Sequence, residues 1–537
     1  MTEFITQNFV PLMFGGLLVF LLTGIPVAFG LAATGLLFGF IGMEVGMFGS
    51  TLFQALPLRV FGIMQNDTLL AIPFFTFMGI LLERSGMAED LLETVGQVFG
   101  PVRGGLAIAV ILVGALLAAT TGVVAAAVIS MGLISLPIML RYGYNRTIAT
   151  GTITASGTLA QAIPPSLVLI VLADQMGRSV GDMYAGALVP GLLLVGLYLS
   201  FIVAVAIFKP TWVPALPMEA RIYKEANGAS GHISLLLLLG ICAVAGWGWA
   251  QLHDQIISPW IGRTTPAAGD EILIMSMTVS SFLALGLALI NRLLKMGLLS
   301  KLAERVTFVL IPPLVLIFLV LGTIFLGVAT PTEGGAMGAL GALIMAGSRG
   351  QISFKLLTQA LDSTARLATF VLFILIGSTV FSFTFNAADG HFWVEHLFAD
   401  MPGGALGFLI VVNILIFILG CFIDFFEIAF IVVPILMPVA EKLLPTLLPG
   451  VPVDAVMIWF GVIIAMNLQT SFLTPPFGFA LFYLRSVAPK SDYKDRVTGE
   501  TIPAVTTPQI YKGSIAFIVL QLIMVAVVIA YPGLVSG

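Results

Sequence analysis

Long apolar stretches alternate with short polar connectors from one end of the chain to the other. The apolar stretches lie near 8–41, 50–82, 105–140, 147–173, 184–208, 232–252, 270–291, 305–328, 332–348, 366–387, 405–440, 455–487 and 512–534. A helix needs about 20 mostly apolar residues to cross a bilayer, and several stretches are too long for one crossing. Because lipid cannot pair with free backbone groups, the stretches are predicted to be helices, and the longest ones to be broken or doubled back.

Two of these stretches are interrupted by a pair of prolines. The first reads ASGTLAQAIPPS (155–166) and the second reads NLQTSFLTPPFG (467–478). Proline removes a helical hydrogen bond and disfavours helical geometry at the residue before it, so each pair leaves carbonyl groups free. In a membrane such backbone is tolerated only where it is packed in protein or lines a watery cavity. The breaks are therefore either simple kinks or, as their matching positions favour, parts of a binding centre.

The residues around the breaks indicate which ligands such a centre would take. Free carbonyls and nearby hydroxyls form a shell of hard oxygen atoms that suits a small hard cation, and Na⁺ is the natural candidate. Helix N-termini beside a break carry partial positive charge and suit an anionic substrate. The candidate substrate-binding residues are Ser156, Thr158 and Gln161 before the first proline pair, and Asn467, Gln469 and Thr470 before the second.

The segments that precede the two breaks also resemble each other. Residues 122–139 precede the first break and residues 425–442 precede the second, with Pro137 and Pro438 at matching places. Each half thus has an apolar doubled segment, a short loop and an interrupted helix. Paired broken segments at corresponding positions are the best sequence indication of a transporter's binding site, so the pattern predicts an internal repeat around such a site.

The basic residues of the loops predict that the two halves run in opposite directions. Arg141 and Arg146 follow the first doubled segment, whereas only Lys442 follows the second. The loop after the first broken helix has one basic residue, and the loop after the second has five: Arg485, Lys490, Lys494, Arg496 and Lys512. Basic residues concentrate in short cytoplasmic loops. The first doubled segment is therefore predicted to open to the cytoplasm and the second to the outside, as in inverted repeats.

Acidic residues inside apolar stretches form a further set of candidates. Asp424 and Glu427 are functional candidates by default. The alternative is that both lie at a re-entrant tip, where Asp424 caps a short helix, and this structural role is favoured for Glu427. Pro331 and Glu333 fit the first turn of a new helix, and the small residues that follow favour close packing over ligand contact. Asp67 is predicted to be a cap or loop residue.

The composition settles the class of protein and argues against an enzyme. Hydrophobic residues make up 59% of the chain, charged residues make up 9%, and the mean hydropathy is +1.10. A soluble protein carries about 25% charged residues. Cys242 and Cys421 lie far apart in apolar segments, which predicts buried packing residues rather than a disulfide or a metal site. The sequence has no zinc-protease motif, nucleophile elbow or phosphate-binding loop, and its four histidines lie outside the apolar cores.

Four segments resemble the large membrane subunit of tripartite ATP-independent periplasmic (TRAP) transporters. They are SGTLAQAIPPS, ATPTEGGAMGALGALIMAG, VVPILMPV and NLQTSFLTPPFGFALF, and the resemblance extends from about residue 65 to the C-terminus. The stretch PPLVLIFLVLGTIFLGVATPTE is most similar to the branch labelled mannitol/chloroaromatic or 2-oxoacid type.

This resemblance implies a fold and a mechanism. The fold is an all-α polytopic membrane protein with inverted repeats, each containing a re-entrant helical hairpin and a discontinuous helix. A scaffold and a mobile transport domain work as a Na⁺-coupled elevator in the bacterial inner membrane. A small four-helix membrane subunit and a periplasmic substrate-binding protein complete the system, and the binding protein delivers an organic acid. Na⁺ is the coupling ion, and no organic cofactor is implied.

The resemblance also implies the Na⁺ ligands, with substrate held between the two hairpin tips. One site combines the second tip with the second break: Ile423, Asp424, Phe425, Ser471, Thr474 and Phe477. The other combines the first tip with the first break, largely through carbonyls: Thr120, Thr121, Gly122, Ala160, Ile163 and Ser166. The family usually has a serine-rich first tip, and the threonines here keep the oxygen ligands. It often has glycine where Ser471 stands, so this chain gains a side-chain ligand.

The expected organisation has four parts. Residues 1–104 form N-terminal scaffold and arm helices, and 105–208 form the first transport-domain repeat. Residues 209–404 connect the repeats through an extra helix and further scaffold helices, and 405–537 form the second repeat and the C-terminal helix. The extra segment near 209–269 has no assigned role. The alternatives are a sodium/carboxylate symporter that needs no binding protein and a channel, against which the two separate hairpins argue.

Overall fold

The computed structural model describes residues 2–220, 222–223, 231–399, 402–476, 478–495 and 497–535. Its α-helices are Thr2–Gln7, Phe9–Leu22, Val27–Glu44, Leu56–Met64, Ala71–Arg84, Met87–Phe99, Gly105–Thr121, Val124–Arg141, Arg146–Thr158, Leu167–Gln175, Val180–Phe208, His232–Ile261, Gly269–Leu293, Lys301–Phe325, Pro331–Ser348, Phe354–Ala387, Gly390–Ala399, Gly404–Gly420, Phe425–Glu427, Val433–Leu443, Val453–Ser471, Phe479–Val487 and Thr507–Ala530. Short 3₁₀ segments are Leu52–Ala55, Asp67–Leu70, Leu159–Gln161, Pro210–Trp212, Met218–Ala220, Leu444–Thr446 and Pro532–Leu534. One π-helical turn, Ile428–Val432, and one antiparallel strand pair, Tyr493–Lys494 with Thr501–Ile502, complete these ranges.

The helices confirm an all-α polytopic membrane protein. Within the described ranges, ten helices are long and apolar enough to cross a membrane, or eleven if one bent pair is counted as a span. Large apolar side chains also cover much of the outer surface, as a lipid environment requires. The sequence pattern succeeded here because backbone pairing leaves few alternatives to a helix in lipid.

Each half contains a hairpin of two helices joined by a tight turn. In the first hairpin, Gly105–Thr121 and Val124–Arg141 are joined through Gly122, which has φ +58°. A left-handed residue with no Cβ ends the first helix and reverses the chain. In the second hairpin, Gly404–Gly420 is followed by a turn and by helical structure from Phe425 to Leu443.

Each hairpin is followed by a broken helix. The first consists of Arg146–Thr158 and Leu167–Gln175, and the second of Val453–Ser471 and Phe479–Val487. The prolines lie in the breaks, as predicted, and the Pro164–Pro165 and Pro475–Pro476 bonds are cis.

Two sets of ion pairs show that the halves run in opposite directions. Arg141, at the open end of the first hairpin, contacts Asp495 beyond the second broken helix at 3.0 Å. Arg178, beyond the first broken helix, pairs with Glu441 and Asp454 near the open end of the second hairpin. One hairpin therefore opens on the side where the other half's broken helix ends, which is the arrangement that the loop charges predicted.

The remaining long helices pack closely through small residues. The helix Phe354–Ala387, called the long helix below, crosses Val27–Glu44 at Gly35, where a Cβ would lie 2.6 Å from the carbonyl oxygen of Val380. The helix Pro331–Ser348 begins with a capping box between Thr330 and Glu333, as the PTE sequence predicted. Its small-residue face packs on a neighbour, which confirms the predicted packing role.

Two stretches have features that the pattern of apolar residues did not predict. The apolar stretch near 50–82 bends by 45° between Leu52–Met64 and Asp67–Arg84. The amide of Asn66 caps the second part there by accepting the backbone N–H of Thr68. The extra segment contains the helix His232–Ile261, which packs against Gly269–Leu293. A buried network joins this pair: His253 contacts Glu271 at 2.8 Å, and Arg263 donates to both oxygens of the same carboxylate.

Candidate functional site

A cavity of about 310 Å³ lies between the two hairpin tips. Its walls come from both hairpins, both broken helices and the long helix: Gly122, Val123, Val124, Ala125, Gln161, Leu167, Leu367, Phe370, Asp424, Phe425, Phe426, Phe472, Phe479 and Tyr483. The fold thus brings together residues that are about 300 positions apart in the sequence. Of the predicted site residues, Gly122, Gln161, Asp424 and Phe425 line this cavity.

Four helices begin at the cavity wall. Their first residues, Val124, Leu167, Phe425 and Phe479, all line the cavity. The first turn of a helix has backbone N–H groups without helical partners and carries partial positive charge. Three of these ends have no acidic cap and favour an anion, whereas Asp424 caps the end at Phe425, and none of the described lining residues is basic.

At the first tip, the turn packs directly on the first break. A Cβ on Gly122 would lie 3.5 Å from the carbonyl oxygen of Pro165. Ser166 donates a hydrogen bond to the Gln161 carbonyl at 2.7 Å and caps the next helix by accepting from Leu169. The hydroxyl of Thr120 donates to the carbonyl of Leu117 at 2.9 Å. Thr121 ends the helix, and Ala160 and Ile163 are buried in the break.

At the second tip, the C-terminal end of the helix Gly404–Gly420 contacts the second break. A Cβ on Gly420 would lie only 2.4 Å from the Cβ of Ser471. Ser471 donates to the Leu468 carbonyl at 2.6 Å, and Thr474 donates to the Thr470 carbonyl at 2.7 Å. The predicted ligand Phe477 lies outside the described residues.

Asp424 and Glu427 form a capping box at the second tip. The Asp424 carboxylate accepts the backbone N–H of Phe425 at 2.7 Å, and Glu427 accepts the N–H of Asp424 at 3.2 Å. Ile423 immediately precedes this cap. Of the two roles considered for Asp424, the capping role is present in the structure, and it places the carboxylate on the cavity wall as well.

Most of the predicted substrate-binding side chains point to protein partners instead of the cavity. Ser156 donates to the Thr152 carbonyl, and Thr470 donates to the Asn467 carbonyl. The amide of Asn467 donates to the backbone and side-chain oxygens of Asn413 at 2.7 and 2.9 Å. These bonds hold the helices around the breaks, so these residues shape the site from behind. Gln161 is the exception, because its Oε1 has no partner among the described atoms and its side chain lines the cavity.

The two broken helices meet at a buried pair of polar residues. The amide of Gln469 donates to the hydroxyl of Thr158 at 3.3 Å, and each residue stands six positions before the first proline of its break. Gln521 of the C-terminal helix donates to Thr158 at 3.4 Å and to Tyr198 at 2.8 Å. The sequence analysis missed Gln521 and Tyr198, for which a single polar residue in an apolar stretch was the available signal.

The comparisons with known proteins add the decisive observation. Residues 14–534 match the family described as tripartite ATP-independent periplasmic transporter, DctM component. The chain belongs to this family. It is therefore the large permease component of a TRAP transporter, a multi-pass inner-membrane protein, and not an enzyme.

Curated relatives cover nearly the whole of this DctM-type permease. A C4-dicarboxylate TRAP transporter large permease of Rhodobacter capsulatus is 26% identical over 97% of this chain and 98% of its own length. A permease of the same description from Pseudomonas aeruginosa is 26% identical over 83% of both chains. The sialic acid TRAP transporter large permease SiaM of Vibrio cholerae is 24% identical over 88% of both chains.

Hydroxyl oxygens at the two breaks of this permease are of the kind that a hard monovalent cation takes as ligands. The described residues contain no group of three or more His, Cys, Asp or Glu side chains that could hold a metal ion. The hydroxyls of Ser166, Ser471 and Thr474 each donate to a carbonyl, which leaves oxygen lone pairs free to face an ion. Neutral hydroxyl and carbonyl oxygens are hard ligands, so the residues present fit Na⁺.

Proposed function

We propose that this permease imports an organic acid by Na⁺-coupled, elevator-type transport, and that a periplasmic binding protein delivers the acid. The observation that carries the proposal is the cavity between the tips, where four helix N-termini converge. Family membership supports a carboxylate or another organic acid as cargo. The 2-oxoacid or mannitol/chloroaromatic branch remains our prediction for the subfamily.

The predicted Na⁺ ligands support coupling because three of them line the cavity and Ser471 precedes Phe472, which also lines it. Ser471 and Thr474 occupy the second break beside the tip that carries Asp424. An ion between the tip and the break would draw them together, since both would contribute oxygen ligands. The tip also forms part of the cavity wall, so the ion would order the wall that the substrate contacts. Binding of each would then favour binding of the other.

The long helix supports a division into a scaffold and a moving part. It contributes Leu367 and Phe370 to one wall of the cavity, whereas the hairpins and broken helices contribute the others. Arg349 and Lys355 lie near the N-terminal end of the long helix, which favours the cytoplasm for that end. The cavity would then lie beside the cytoplasmic half of this helix. In this proposal the hairpins and broken helices carry the substrate along the long helix to the other side.

The proposed partners follow from the three-part description of the family. They are a small four-helix membrane subunit and a periplasmic substrate-binding protein. The cavity lining is largely apolar and aromatic: the rings of Phe425 and Phe472 are 5.8 Å apart, as are those of Phe472 and Phe479. A generic lining of this kind supports the view that substrate selection belongs mainly to the binding protein.

The test is uptake into liposomes that contain this chain together with a candidate binding protein and small subunit. Radiolabelled succinate, pyruvate and mandelate serve as probes, each with an inward Na⁺ gradient or with K⁺ in its place. Uptake of an accepted acid should require both Na⁺ and the binding protein. Uptake that ignores Na⁺ would contradict coupling, and uptake without the binding protein would favour the autonomous symporter.

Variants of the second break test the ion site itself. Ser471→Ala and Thr474→Ala should each raise the Na⁺ concentration for half-maximal uptake by about tenfold. A tenfold change corresponds to about 1.4 kcal/mol, which is close to the strength of one hydrogen bond to a charged group. Ser200→Ala, which removes an exposed hydroxyl on another helix, is the matched control. An unchanged Na⁺ response in both break variants would remove the proposed site.

A further inference from the structure

A second cavity lies on the long helix, away from the cavity between the tips. Its volume is about 460 Å³, and it is lined by Leu52, Arg59, Gln175, Ser378, Thr379, Ser382, Phe383, Asn386, Ala387, Phe430 and Pro434. Six of these residues have polar side chains, which is unusual in a chain with 9% charged residues and 59% hydrophobic residues. In a membrane, a concentration of polar groups marks a watery path or a ligand contact.

The second cavity faces the periplasmic side. It lies beside the C-terminal half of the long helix and the end of the first broken helix, at Gln175. That end is on the side of Arg178, Glu441 and Asp454, opposite the side of Arg141 and Asp495. The positive-inside rule places the Arg141 side in the cytoplasm.

The two cavities share the long helix. Phe370 lines the cavity between the tips, and Ser382 lines the second cavity twelve positions further along. At a rise of about 1.5 Å per residue, these positions are roughly 18 Å apart along the helix axis. The helix presents apolar groups to the tips on the cytoplasmic side and hydroxyl and amide groups on the periplasmic side.

The electrostatics of the second cavity favour an anion. Arg59 is the charged residue among its described lining residues, and no ion pair of Arg59 is recorded in the structure. The carboxylate of Asp174, the residue before the lining residue Gln175, accepts hydrogen bonds from Asn66 at 2.6 Å and from Gln175 at 2.9 Å. Asp174 is thus engaged by two amides, and the guanidinium of Arg59 stays available to a ligand. A guanidinium can bind a carboxylate through two parallel hydrogen bonds.

We propose that this second cavity is a receiving site for the substrate's carboxylate on the periplasmic side. Arg59 would pair with the carboxylate, and Ser382 and Asn386 would supply hydrogen bonds to it. The site would hold the anion after the binding protein releases it and before it reaches the cavity between the tips. This inference rests on the proposed import of an organic acid, but it assigns a separate site with its own residues.

Exposure of Arg59 sets the strength expected of this site. The side chain is exposed, so its attraction for an anion is screened and the contact is worth little on its own. Weak binding suits a site that holds the substrate only briefly, because tight binding would delay transfer to the cavity between the tips. We therefore expect this site to help capture the substrate anion and direct it inward, and so to increase uptake at low substrate concentration.

Thiol labelling tests the site without knowledge of the natural substrate. Ser382→Cys is placed in a chain whose buried cysteines are replaced, Cys242→Ala and Cys421→Ala, and the chain is labelled from outside in liposomes. Two methanethiosulfonate reagents of similar size are compared, one with an anionic sulfonate and one with a cationic trimethylammonium group. The anionic reagent should react about fivefold faster than the cationic one, as expected for a nearby positive charge in a partly aqueous site.

Variants of Arg59 decide whether that residue is the source of the preference. Arg59→Gln should bring the ratio of the two rates close to one, and Arg59→Lys should preserve most of the preference. At Thr446→Cys, an exposed position on the same side, Arg59→Gln should leave the ratio unchanged. A ratio at Ser382→Cys that does not respond to Arg59 would overturn the proposal.

Protection by carboxylates completes the test. Succinate, pyruvate or mandelate should slow labelling of Ser382→Cys at least about threefold when Arg59 is present, and should have no effect in Arg59→Gln. Failure of all three acids to protect would also overturn the proposal. Neither result depends on Na⁺, whereas uptake that ignores Na⁺ would contradict the proposed function. The two failures are therefore distinguishable.

Discussion

A methyl group on Gly420 provides a sharp test of the proposed ion site. Gly420 ends the first helix of the second hairpin, and its added Cβ would lie 2.4 Å from the Cβ of Ser471. Two carbon atoms in normal contact are about 3.5–4.0 Å apart, so Gly420→Ala must move the tip and the break apart by roughly 1 Å or more. Both sides of the proposed Na⁺ site would be displaced, since the tip lies on one side and Ser471 on the other.

The expected size of the effect follows from the strain. Overpacking of this kind costs about 1–3 kcal/mol. If relief of the strain opens the site and Na⁺ binding must close it again, Na⁺ affinity falls by roughly 5- to 140-fold, at 1.4 kcal/mol for each factor of ten. A shift of this size is easily measured, because ligand-dependent stabilisation follows the ratio of ligand concentration to Kd.

The assay is thermal unfolding of the purified chain in detergent at increasing NaCl, with KCl keeping the ionic strength constant. The wild type should gain stability with Na⁺ but not with K⁺, and Gly420→Ala should need at least about fivefold more Na⁺ for the same gain. Gly196→Ala is the control, because a Cβ there meets no atom within 4 Å. If Gly420→Ala folds normally and its Na⁺ midpoint equals that of the wild type, the tip and the break do not share an ion.

Two further predictions concern stability and pH. Gly513→Ala would place a Cβ 2.4 Å from the Thr147 backbone oxygen, and it should destabilise the chain by about 1–3 kcal/mol in thermal unfolding, whereas Gly196→Ala should change stability by less than about 1 kcal/mol. The hydrogen bond from Arg141 holds the pKa of Asp495 well below its usual range, so its stabilising effect is present above the pKa of the unfolded chain and is lost as pH falls through the folded pKa. Asp495→Asn should therefore lower the melting temperature at pH 7, and the difference from wild type should begin to shrink below about pH 4; a difference that is as large at pH 3 as at pH 7 would contradict this account.

The sequence was sufficient for the helices, the repeat and the positions of the breaks. Continuous apolar stretches allow little besides helices in lipid, and PP pairs at matching places mark where two of them end. The loop charges also predicted that the two halves run in opposite directions. The ion pair between Arg141 and Asp495 agrees with this prediction, because it joins the open end of the first hairpin to the loop after the second broken helix.

The sequence did not allow us to predict which atoms the individual polar side chains contact. Asn467 was predicted to face substrate, but in the structure it bonds to Asn413, which lies on another helix and stood out only as a lone polar residue. Which face of a broken helix meets the cavity depends on helix rotation and on neighbours that are distant in sequence. The aromatic lining was missed for a different reason: with 10% aromatic residues, Phe472 or Tyr483 carries no signal of its own.

The contact between Gln469 and Thr158 joins corresponding positions of the two halves. In a symmetric dimer, a residue that meets its own copy lies on the two-fold axis and must be its own partner. Within a single chain the two copies are free to diverge, and here one has become an amide donor and the other a hydroxyl acceptor. The hydrogen bond between these corresponding positions therefore has a direction, from the second half to the first. Exchange of the two side chains, Thr158→Gln with Gln469→Thr, would reverse that direction while it keeps the same pair of groups, and so would reveal whether the two halves are still interchangeable at their axis.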